Sequence, residues 1–371
     1  MKIKVTYVIS LVHKANIFEW TALELDNSKF DQLFILLHDR ETEFEQDLIR
    51  HGFRVQRLQY RGKKDMLRTV FRLMCIFRKE KTNIVHSHLF DAGLAGMLAA
   101  WLKRIPKRIH TRHDATVNHV YYPQAVKWDR LTNRSASHII AITDSVKKIL
   151  MEMESVPERK ITVIHHGFRL DFFARRNEEK IAALRAKYIP SGEHRVIGVI
   201  SRYIHWKGIQ YAIEAFRGLR TRFPDAHLLL CNSQGPYEKE IKSLLKDLPA
   251  SSYTEILFEH DIVSLYHLFD VFVHVPIDDK AEAFGQIYVE SMAASVPSVV
   301  TISGIAKDYI IDRQNALVVP YENAESIRKA VEELLTDSVL RKKLMENGKR
   351  DVAQRFSIEK HVEQLEKLYL G

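Results

Sequence analysis

The sequence predicts an α/β protein of two domains, each built on a parallel β-sheet that is covered by helices on both faces. Three observations support this prediction. The chain has 371 residues, more than a single hydrophobic core usually supports. Short, continuous apolar runs alternate with amphipathic helical patterns, which is typical of strands buried on both faces. A charged stretch at 171–193 interrupts this alternation and divides the chain.

Each half of the chain contains its own series of predicted strands, separated by helical patterns. In the first half the apolar runs lie at 5–10, 30–38, 54–58, 83–89, 108–113, 138–143 and 161–167. In the second half they lie at 195–202, 226–231, 254–259, 270–275, 297–301 and 315–320.

The alternation also predicts the domain boundaries. We expect a first Rossmann-like domain at 1–170 and a linker at 171–193. A second Rossmann-like domain follows at 194–355, and the last helix, 356–371, is long enough to pack back onto the first domain. Ligands of such sheets bind at the carboxyl ends of the strands, so the loops that follow the strands are the places to search for a site.

The charge of the chain favours an anionic partner. The net charge is +9 and the isoelectric point is near 9.3, which suits a diphosphate, a lipid head group or a nucleic acid. The basic residues are spread along the chain, without a basic arm or a platform of interleaved arginines and aromatic residues. We therefore do not expect nucleic-acid binding.

The cysteines and the hydropathy pattern predict the compartment. Cys75 and Cys231 both lie inside apolar runs, and no Cys-x-x-Cys or Cys/His cluster offers a zinc site. We therefore expect buried thiols, a reducing compartment and no structural zinc site. No apolar run reaches the roughly 18 residues of a membrane span, so we predict a cytoplasmic protein, with peripheral binding to the inner face of the membrane as an addition.

The predicted helix at 67–81 is relevant to peripheral membrane binding. Its apolar residues predict a face that packs on the core, and its cations predict a basic outer surface. Docking of this helix on a membrane is the alternative that we keep open. The apolar face consists of Leu67, Val70, Phe71, Met74 and Phe77, and the cations are Arg68, Arg72, Arg78 and Lys79.

The most informative stretch of the sequence is 278–301. Glu282 precedes Phe284 and Gly285 at the start of a predicted helix, and Glu290 lies about two turns inside that helix. Free N–H groups at a helix start seat phosphates, and ionised carboxylates accept hydrogen bonds from sugar hydroxyls. An acidic helix cap and a solvated helix face are the alternative interpretation of the two carboxylates.

A second informative stretch follows the first predicted strand of the second domain. Arg202 and Lys207 lie in the loop between this strand and the next helix, where a doubly wound sheet binds its ligands. Two cations there can neutralise a diphosphate. Solvated loop cations are the alternative.

These stretches together resemble glycosyltransferase family 4, a family of retaining enzymes with the GT-B fold. The Glu-x7-Glu spacing from Glu282 to Glu290 is the central element of the resemblance, which covers most of 195–335. Weaker similarities extend it over nearly the whole chain. The matching segments are SR-x4-KG at 201–208, Gln234-Gly235-Pro236, Asp270-Val-Phe-Val, and the histidine motifs around His86, His88, His113 and Gly167.

The resemblance implies a fold, a reaction and its partners. In the GT-B fold, the parallel sheets of two Rossmann-like domains face each other across a cleft, and the C-terminal helix crosses back to the first domain. The implied enzyme is a metal-independent hexosyltransferase that needs no cofactor. Its donor is a UDP- or GDP-linked sugar, and its acceptor is a glycan or a lipid-linked glycan of cell-envelope polysaccharide biosynthesis.

The resemblance also implies a role for each matching residue. Arg202 and Lys207 hold the donor diphosphate and stabilise the departing nucleoside diphosphate. Glu282 contacts the donor sugar, and Glu290 binds the ribose hydroxyls. The other matching residues are Phe284 and Gly285, whose N–H groups meet the sugar and phosphates, Gly235 in the nucleotide site, and His113, which reaches the sugar and acceptor from the first domain.

The sequence departs from the family pattern at several loops. The family has glycines after the first strand, whereas this chain has no glycine before Gly52 and offers Lys14 as an added charge. Ser295 stands where the family usually has glycine. From their alternation we expect only one of His86 and His88 to face the site. Two alternatives therefore stay open: a non-catalytic sugar-nucleotide-binding subunit of a glycan assembly complex, and a sugar-nucleotide epimerase of the same fold.

Overall fold

The computed structural model describes residues 2–189 and 195–371 and divides the chain into two compact units. Unit 1 combines Met1–Phe168 with Phe356–Gly371, and unit 2 is Arg169–Arg355. Both units are three-layered, with helices on the two faces of a parallel sheet, so the predicted α/β class with two Rossmann-like domains is confirmed. Of the predicted linker, 190–193 lies outside the described residues.

The sheet of unit 1 has seven strands within the described residues, all parallel and in the order β3-β2-β1-β4-β5-β6-β7. Every predicted strand of this half is present, with ends that differ from the predicted ones by up to four residues. The strands are β1 (Ile3–Ser10), β2 (Phe30–Leu37), β3 (Arg54–Leu58), β4 (Ile84–His88), β5 (Lys107–Arg112), β6 (His138–Ala141) and β7 (Ile161–Val163).

Helices cover both faces of this sheet. The C-terminal helix α17 also belongs to this unit: it packs against α1, and Lys107 donates hydrogen bonds to the carbonyls of Leu368 and Tyr369. The helices are α1 (Asn16–Glu24), α2 (Glu43–Arg50), α3 (Met66–Glu80), α4 (Phe90–Leu102), α5 (Val117–Tyr121), α6 (Val126–Ser135), α7 (Asp144–Glu152) and α17 (Ile358–Leu370).

The sheet of unit 2 has six described strands, all parallel, in the order β10-β9-β8-β11-β12-β13. Its central strands are almost wholly apolar and buried, as expected for a sheet covered on both faces. The strands are β8 (Val196–Ile200), β9 (His227–Cys231), β10 (Tyr253–Ile256), β11 (Val271–His274), β12 (Ser298–Val300) and β13 (Leu317–Val318).

The helices of unit 2 include the described part of the predicted linker, which folds as α8 and α9. These two helices pack against α13 and α12. No helix of the described residues is both long and apolar enough to cross a membrane. The helices are α8 (Leu170–Ala174), α9 (Glu178–Tyr188), α10 (Ile209–Leu219), α11 (Glu238–Leu245), α12 (Ile262–Tyr266), α13 (Gln286–Ala293), α14 (Ala306–Tyr309), α15 (Ala324–Thr336) and α16 (Ser338–Phe356).

Two predictions about α3 and its cysteine are wrong. Leu67 and Phe71 do not face the core: 82% and 66% of their surfaces are exposed, and Cys75 is exposed as well. The buried apolar residues of α3 are Val70, Leu73 and Phe77. Apolar residues thus occupy two faces of the helix, and we call Leu67, Phe71 and Cys75 the outer stripe. Sequence periodicity does not distinguish a buried face from an exposed one when both are apolar.

Candidate active site

The strand order of unit 2 places a crevice between β8 and β11. The connections from these two strands leave in opposite directions, which opens a binding site at their carboxyl ends. Arg202 lies two residues after β8, and Lys207 ends a 3₁₀ turn, His205–Lys207, in the same loop. Glu282 lies in the loop after β11. The predicted cations and this carboxylate therefore share one crevice.

Two glycines allow the loops around this crevice to approach closely. Gly208 has a φ of +73°, and a Cβ there would lie 1.8 Å from the carbonyl oxygen of Val275 in the loop after β11. Gly235 has a φ of +154°, and a Cβ there would lie 2.3 Å from the carbonyl oxygen of Tyr203. Gly235 therefore holds the loop after β9 against the loop that carries Arg202. A role of Gly235 in direct contact with a nucleotide stays a prediction.

Glu282 is the best-connected carboxylate of the site. It is 8% exposed, and its Oε1 lies 2.5 Å from Nζ of Lys207 and 3.1 Å from Nε2 of His274. Burial alone would raise the pKa of Glu282, but the charge of Lys207 and the hydrogen bond from His274 outweigh burial and lower this pKa to about 2. Glu282 is therefore an anion at neutral pH.

The start of α13 lies next to this cluster. Gly285 precedes the helix with a φ of +81°, and the side chain of Phe284 is buried, so only the backbone of these two residues is available to a ligand. The backbone N–H of Glu282 donates to Oγ of Ser303, and Ile305 donates to the carbonyl of Phe284. The loop after β12 thus supports the start of α13, whose first N–H groups have no carbonyl partners within the helix.

Glu290 lies deeper in the same helix. Its Oε2 accepts a hydrogen bond of 2.8 Å from the hydroxyl of Tyr266 on α12. Burial raises the pKa of Glu290 to about 7, although the hydrogen bond from Tyr266 opposes the shift. Arg202, by contrast, is exposed and forms no salt bridge within the described part of the chain. An exposed, unpaired cation and a partly exposed carboxylate are therefore both available to a ligand.

His274 is a site residue that the sequence analysis missed. It ends β11, is 1% exposed, and its ring packs at 4.7 Å against Tyr288 of α13. The strand pattern alone predicts a buried residue here. The only signal was a polar residue at the last position of an otherwise apolar central strand, immediately before the ligand-binding edge.

The histidine motifs of unit 1 form a buried cluster. Nδ1 of His88 lies 3.1 Å from Nε2 of His113, which stacks on His166 at 5.3 Å. The rings of His86 and His88 are 4.1 Å apart, so the expectation that only one of them faces the site is wrong. Residues two apart on a strand share a face. These histidines, His361 and Phe18 line a cavity of about 30 Å³.

Burial governs the protonation of this cluster. Removal from water lowers the pKa of His113 to about 4 and, with the charges of neighbouring histidines, lowers the pKa of His86, His88 and His166 well below the usual value. His113 is consequently neutral at physiological pH. A neutral imidazole can accept or donate a hydrogen bond to a hydroxyl but adds no charge to the site.

The first loop of unit 1 differs from the prediction for Lys14. Lys14 forms a salt bridge with Glu43 of α2, so its charge is already paired. Leu11 has a φ of +55°, a left-handed conformation that glycine adopts more easily. Ser295, which follows α13, has a φ of +57°. The backbone conformations that favour glycine are thus kept at both positions without the glycines.

Comparisons with known proteins agree with this architecture. The chain matches the model of glycosyl transferases group 1 over residues 180–351 and the model of glycosyltransferase family 4 over residues 21–172. It is 28% identical to the capsular polysaccharide biosynthesis glycosyltransferase CapM of Staphylococcus aureus over 316 residues, which are 82% of this chain and 80% of the relative.

The fold is similar to those of two kinds of solved structure. HepE of Anabaena in complex with UDP-glucose has a TM-score of 0.84 and 18% identity over 99% of both chains. UDP-GlcNAc 2-epimerase from Methanocaldococcus jannaschii has a TM-score of 0.67 and 14% identity over 100% of both chains. The two sheets and the matched models define a glycosyltransferase of the GT-B type. The chain belongs to glycosyltransferase family 4.

Proposed function

We propose that this protein transfers a sugar from a nucleoside-diphosphate sugar to a glycan or a lipid-linked glycan of the cell envelope, with retention of the anomeric configuration and without a metal or other cofactor. The observation that carries the proposal is the crevice of unit 2, where Arg202, Lys207 and the first N–H groups of α13 surround one site. Such a site suits a diphosphate. HepE, which has a similar fold, binds UDP-glucose, and this supports a UDP-linked donor over a GDP-linked one.

In the proposed reaction, the bond between the anomeric carbon and the β-phosphate oxygen breaks, and an acceptor hydroxyl bonds to the same carbon from the same face. The hydroxyl proton passes to the departing phosphate oxygen. Lys207 and Arg202 stabilise the charge that develops on this phosphate, which is the main contribution of the protein. Glu282 accepts hydrogen bonds from hydroxyls of the donor sugar, and His113 contacts the sugar or the acceptor as a neutral hydrogen-bonding group.

The first test is a calorimetric titration of the purified protein with UDP, GDP and their common sugar conjugates, without added metal. We expect one nucleotide to bind, and its sugar conjugate to be consumed when an acceptor extract is added. The configuration of the new linkage is then read by NMR. Binding without turnover would favour the non-catalytic subunit, and conversion of the donor into its epimer would favour the epimerase.

Glu290 provides a prediction about nucleotide affinity. Glu290→Gln should weaken binding of the nucleoside diphosphate by about tenfold or more, because it removes a charged acceptor from the ribose hydroxyls. Since the pKa of Glu290 is about 7, the affinity of the wild type should also fall as the pH decreases below 7. Both proteins are titrated calorimetrically at each pH. The ratio of the wild-type affinity to the Glu290→Gln affinity is then compared between pH values, because the titration of the ligand itself affects both proteins equally. A ratio that does not vary between pH 6 and pH 8 would remove Glu290 from the ribose site.

His274 provides a prediction about the position of Glu282. His274→Phe should lower kcat by about tenfold, since one charge-assisted hydrogen bond is lost, and should raise the pKa of Glu282, which shifts the acidic limb of the pH profile upward. His274→Gln keeps an N–H donor and should restore both values. His227→Phe is the matched control, because His227 is equally buried in the same unit but bonds to Thr254 of β10. Equal losses in the Phe and Gln variants of His274 would assign it a packing role only.

A further inference from the structure

The outer stripe of α3 is an exposed apolar line on an otherwise ordinary surface helix. Its residues follow one another at intervals of four, so Leu67, Phe71 and Cys75 lie along one side of the helix. The opposite side packs into unit 1 through Val70, Leu73 and Phe77. The outer stripe therefore does not contribute to the core of unit 1. A helix face that is exposed only to water usually carries polar residues instead.

The outer stripe is surrounded by unpaired positive charge. Residues 61–79 contain seven lysines or arginines and one acidic residue, Asp65, which gives a net charge of +6 out of +9 for the whole chain. Asp65 accepts a hydrogen bond from the backbone N–H of Arg61. None of the seven cations forms a salt bridge with a described residue. They are Arg61, Lys63, Lys64, Arg68, Arg72, Arg78 and Lys79.

A second exposed apolar group lies on the same side of the sheet. α3 packs against α4, and α4 packs against α6, so these three helices form one layer. Both α3 and the segment that leads into α6 follow parallel strands and therefore begin at the same edge of the sheet. Tyr121 and Tyr122 of this segment are 50% and 58% exposed, and Trp128 of α6 is 38% exposed. Tyrosine and tryptophan are the residues enriched at membrane interfaces.

We propose that the outer stripe and its cations form a docking surface for a bilayer that contains anionic phospholipids, with Leu67 and Phe71 inserted among the acyl chains and the cations on the lipid phosphates. An amphipathic helix with apolar residues between cations is suited to this location. A second copy of the chain does not suit the surface, because pairing it with itself would bring together two segments of net charge +6. The proposal does not depend on the transfer reaction, since binding is measured without a donor.

Cys75 allows a direct test in the unmodified protein. It is the exposed cysteine of the outer stripe, whereas Cys231 is buried in unit 2. We expect vesicles of phosphatidylcholine with phosphatidylglycerol to slow the reaction of Cys75 with a hydrophilic maleimide, and vesicles of phosphatidylcholine alone to have no effect. An unchanged rate with anionic vesicles, or equal protection by both kinds of vesicle, would overturn the proposal.

Vesicle flotation with variants tests the two components of the surface. Leu67→Gln with Phe71→Gln should weaken binding to the anionic vesicles by about tenfold or more, and Arg68→Gln with Arg72→Gln should weaken it by roughly fivefold per cation. Val339→Gln with Lys343→Gln is the matched control, since Val339 is 80% exposed beside an exposed cation in unit 2, and its binding should equal that of the wild type. Circular dichroism checks the fold of each variant.

Two results of the variant series would overturn the proposal. The first is binding by the Leu67 and Phe71 variant at wild-type strength, which would mean that no side chain inserts. The second is a self-association of the wild type in sedimentation experiments that the same variant abolishes, without binding to vesicles. This second result would assign the outer stripe to a contact between copies of the chain.

Discussion

Replacement of Lys207 by alanine is expected to reduce sugar transfer by about 10²- to 10³-fold, the loss typical of removing one group that stabilises developing charge. The lysine contacts Glu282 directly at 2.5 Å. Its removal therefore deprives the diphosphate of a cation and leaves the buried carboxylate of Glu282 with the hydrogen bond from His274. The decrease should appear in kcat at saturating donor as well as in the affinity for the nucleoside diphosphate. Steady-state kinetics and calorimetry measure the two effects separately.

One control variant and one comparison variant separate this effect from a general loss of charge or stability. Lys280→Ala removes an exposed cation from the same loop as Glu282 and should leave transfer unchanged. Arg202→Ala removes the unpaired cation of the crevice, so it should lower transfer without disturbing Glu282. If Lys207→Ala retains near-normal turnover while its melting temperature is unchanged, the diphosphate role of this lysine is wrong.

Acidification is expected to unfold unit 1 before unit 2, between about pH 6.5 and pH 5. Burial lowers the pKa of seven histidines in the described part of unit 1, to about 4 for His113 and His361 and to about 3 for His110. The unfolded chain takes up these protons below pH 6.5, whereas the folded unit does not. Stability is therefore fully present above pH 6.5 and is lost as the pH falls. Each histidine contributes up to about 1.4 kcal/mol per pH unit, so the sum reaches several kcal/mol.

Unit 2 should respond less over the same interval because two of its groups oppose each other. Burial lowers the pKa of His274 but raises that of Glu290 to about 7, and these shifts change stability in opposite directions with pH. Hydrogen exchange of β1, β4 and β5, compared with β8 and β11 at each pH, measures the two units separately. Simultaneous loss of protection in both sheets would contradict the prediction.

Two single substitutions, one of a buried histidine and one of an exposed histidine, provide the control for this pH effect. His361→Asn removes one buried titrating group and should reduce the dependence of unfolding free energy on pH by about 1.4 kcal/mol per pH unit. His260→Gln changes an exposed histidine of unit 2 and serves as the control that leaves the buried histidines of unit 1 in place. Either substitution can change packing and therefore the stability at any one pH. The informative quantity is the slope of the unfolding free energy against pH.

The series of strands along the chain and the loops that carry the candidate site followed from the sequence. Continuous apolar runs of five to eight residues fit strands buried on both faces, and their alternation with helices allows few topologies besides a parallel sheet. The same logic places Arg202 and Glu282 beyond the ends of strands, where parallel sheets bind ligands. Gly208 was visible as part of a motif, although only the structure shows that its missing Cβ allows the contact with Val275.

Contacts between distant segments could not be predicted from the sequence. The partners of Glu282 are Lys207, which lies 75 positions away in the chain, and His274, which lies on a buried strand. The cluster around His113 depends on the neighbouring strands β4 and β5, whose register brings His88 and His113 together. Propensity and periodicity describe segments one at a time, so they do not reveal which charges neutralise one another or which histidines lose contact with water.

The chain by itself thus determined its class, its strand series and the loops that carry chemistry, because these depend on local pattern and on the period of apolar residues. Tertiary structure decided which faces are buried and which ionisable groups are neutral. Leu67 and Val70 of α3 show the reason: both are apolar residues in one helix, and only the packing of α3 on the rest of unit 1 removes Val70 from water while leaving Leu67 exposed.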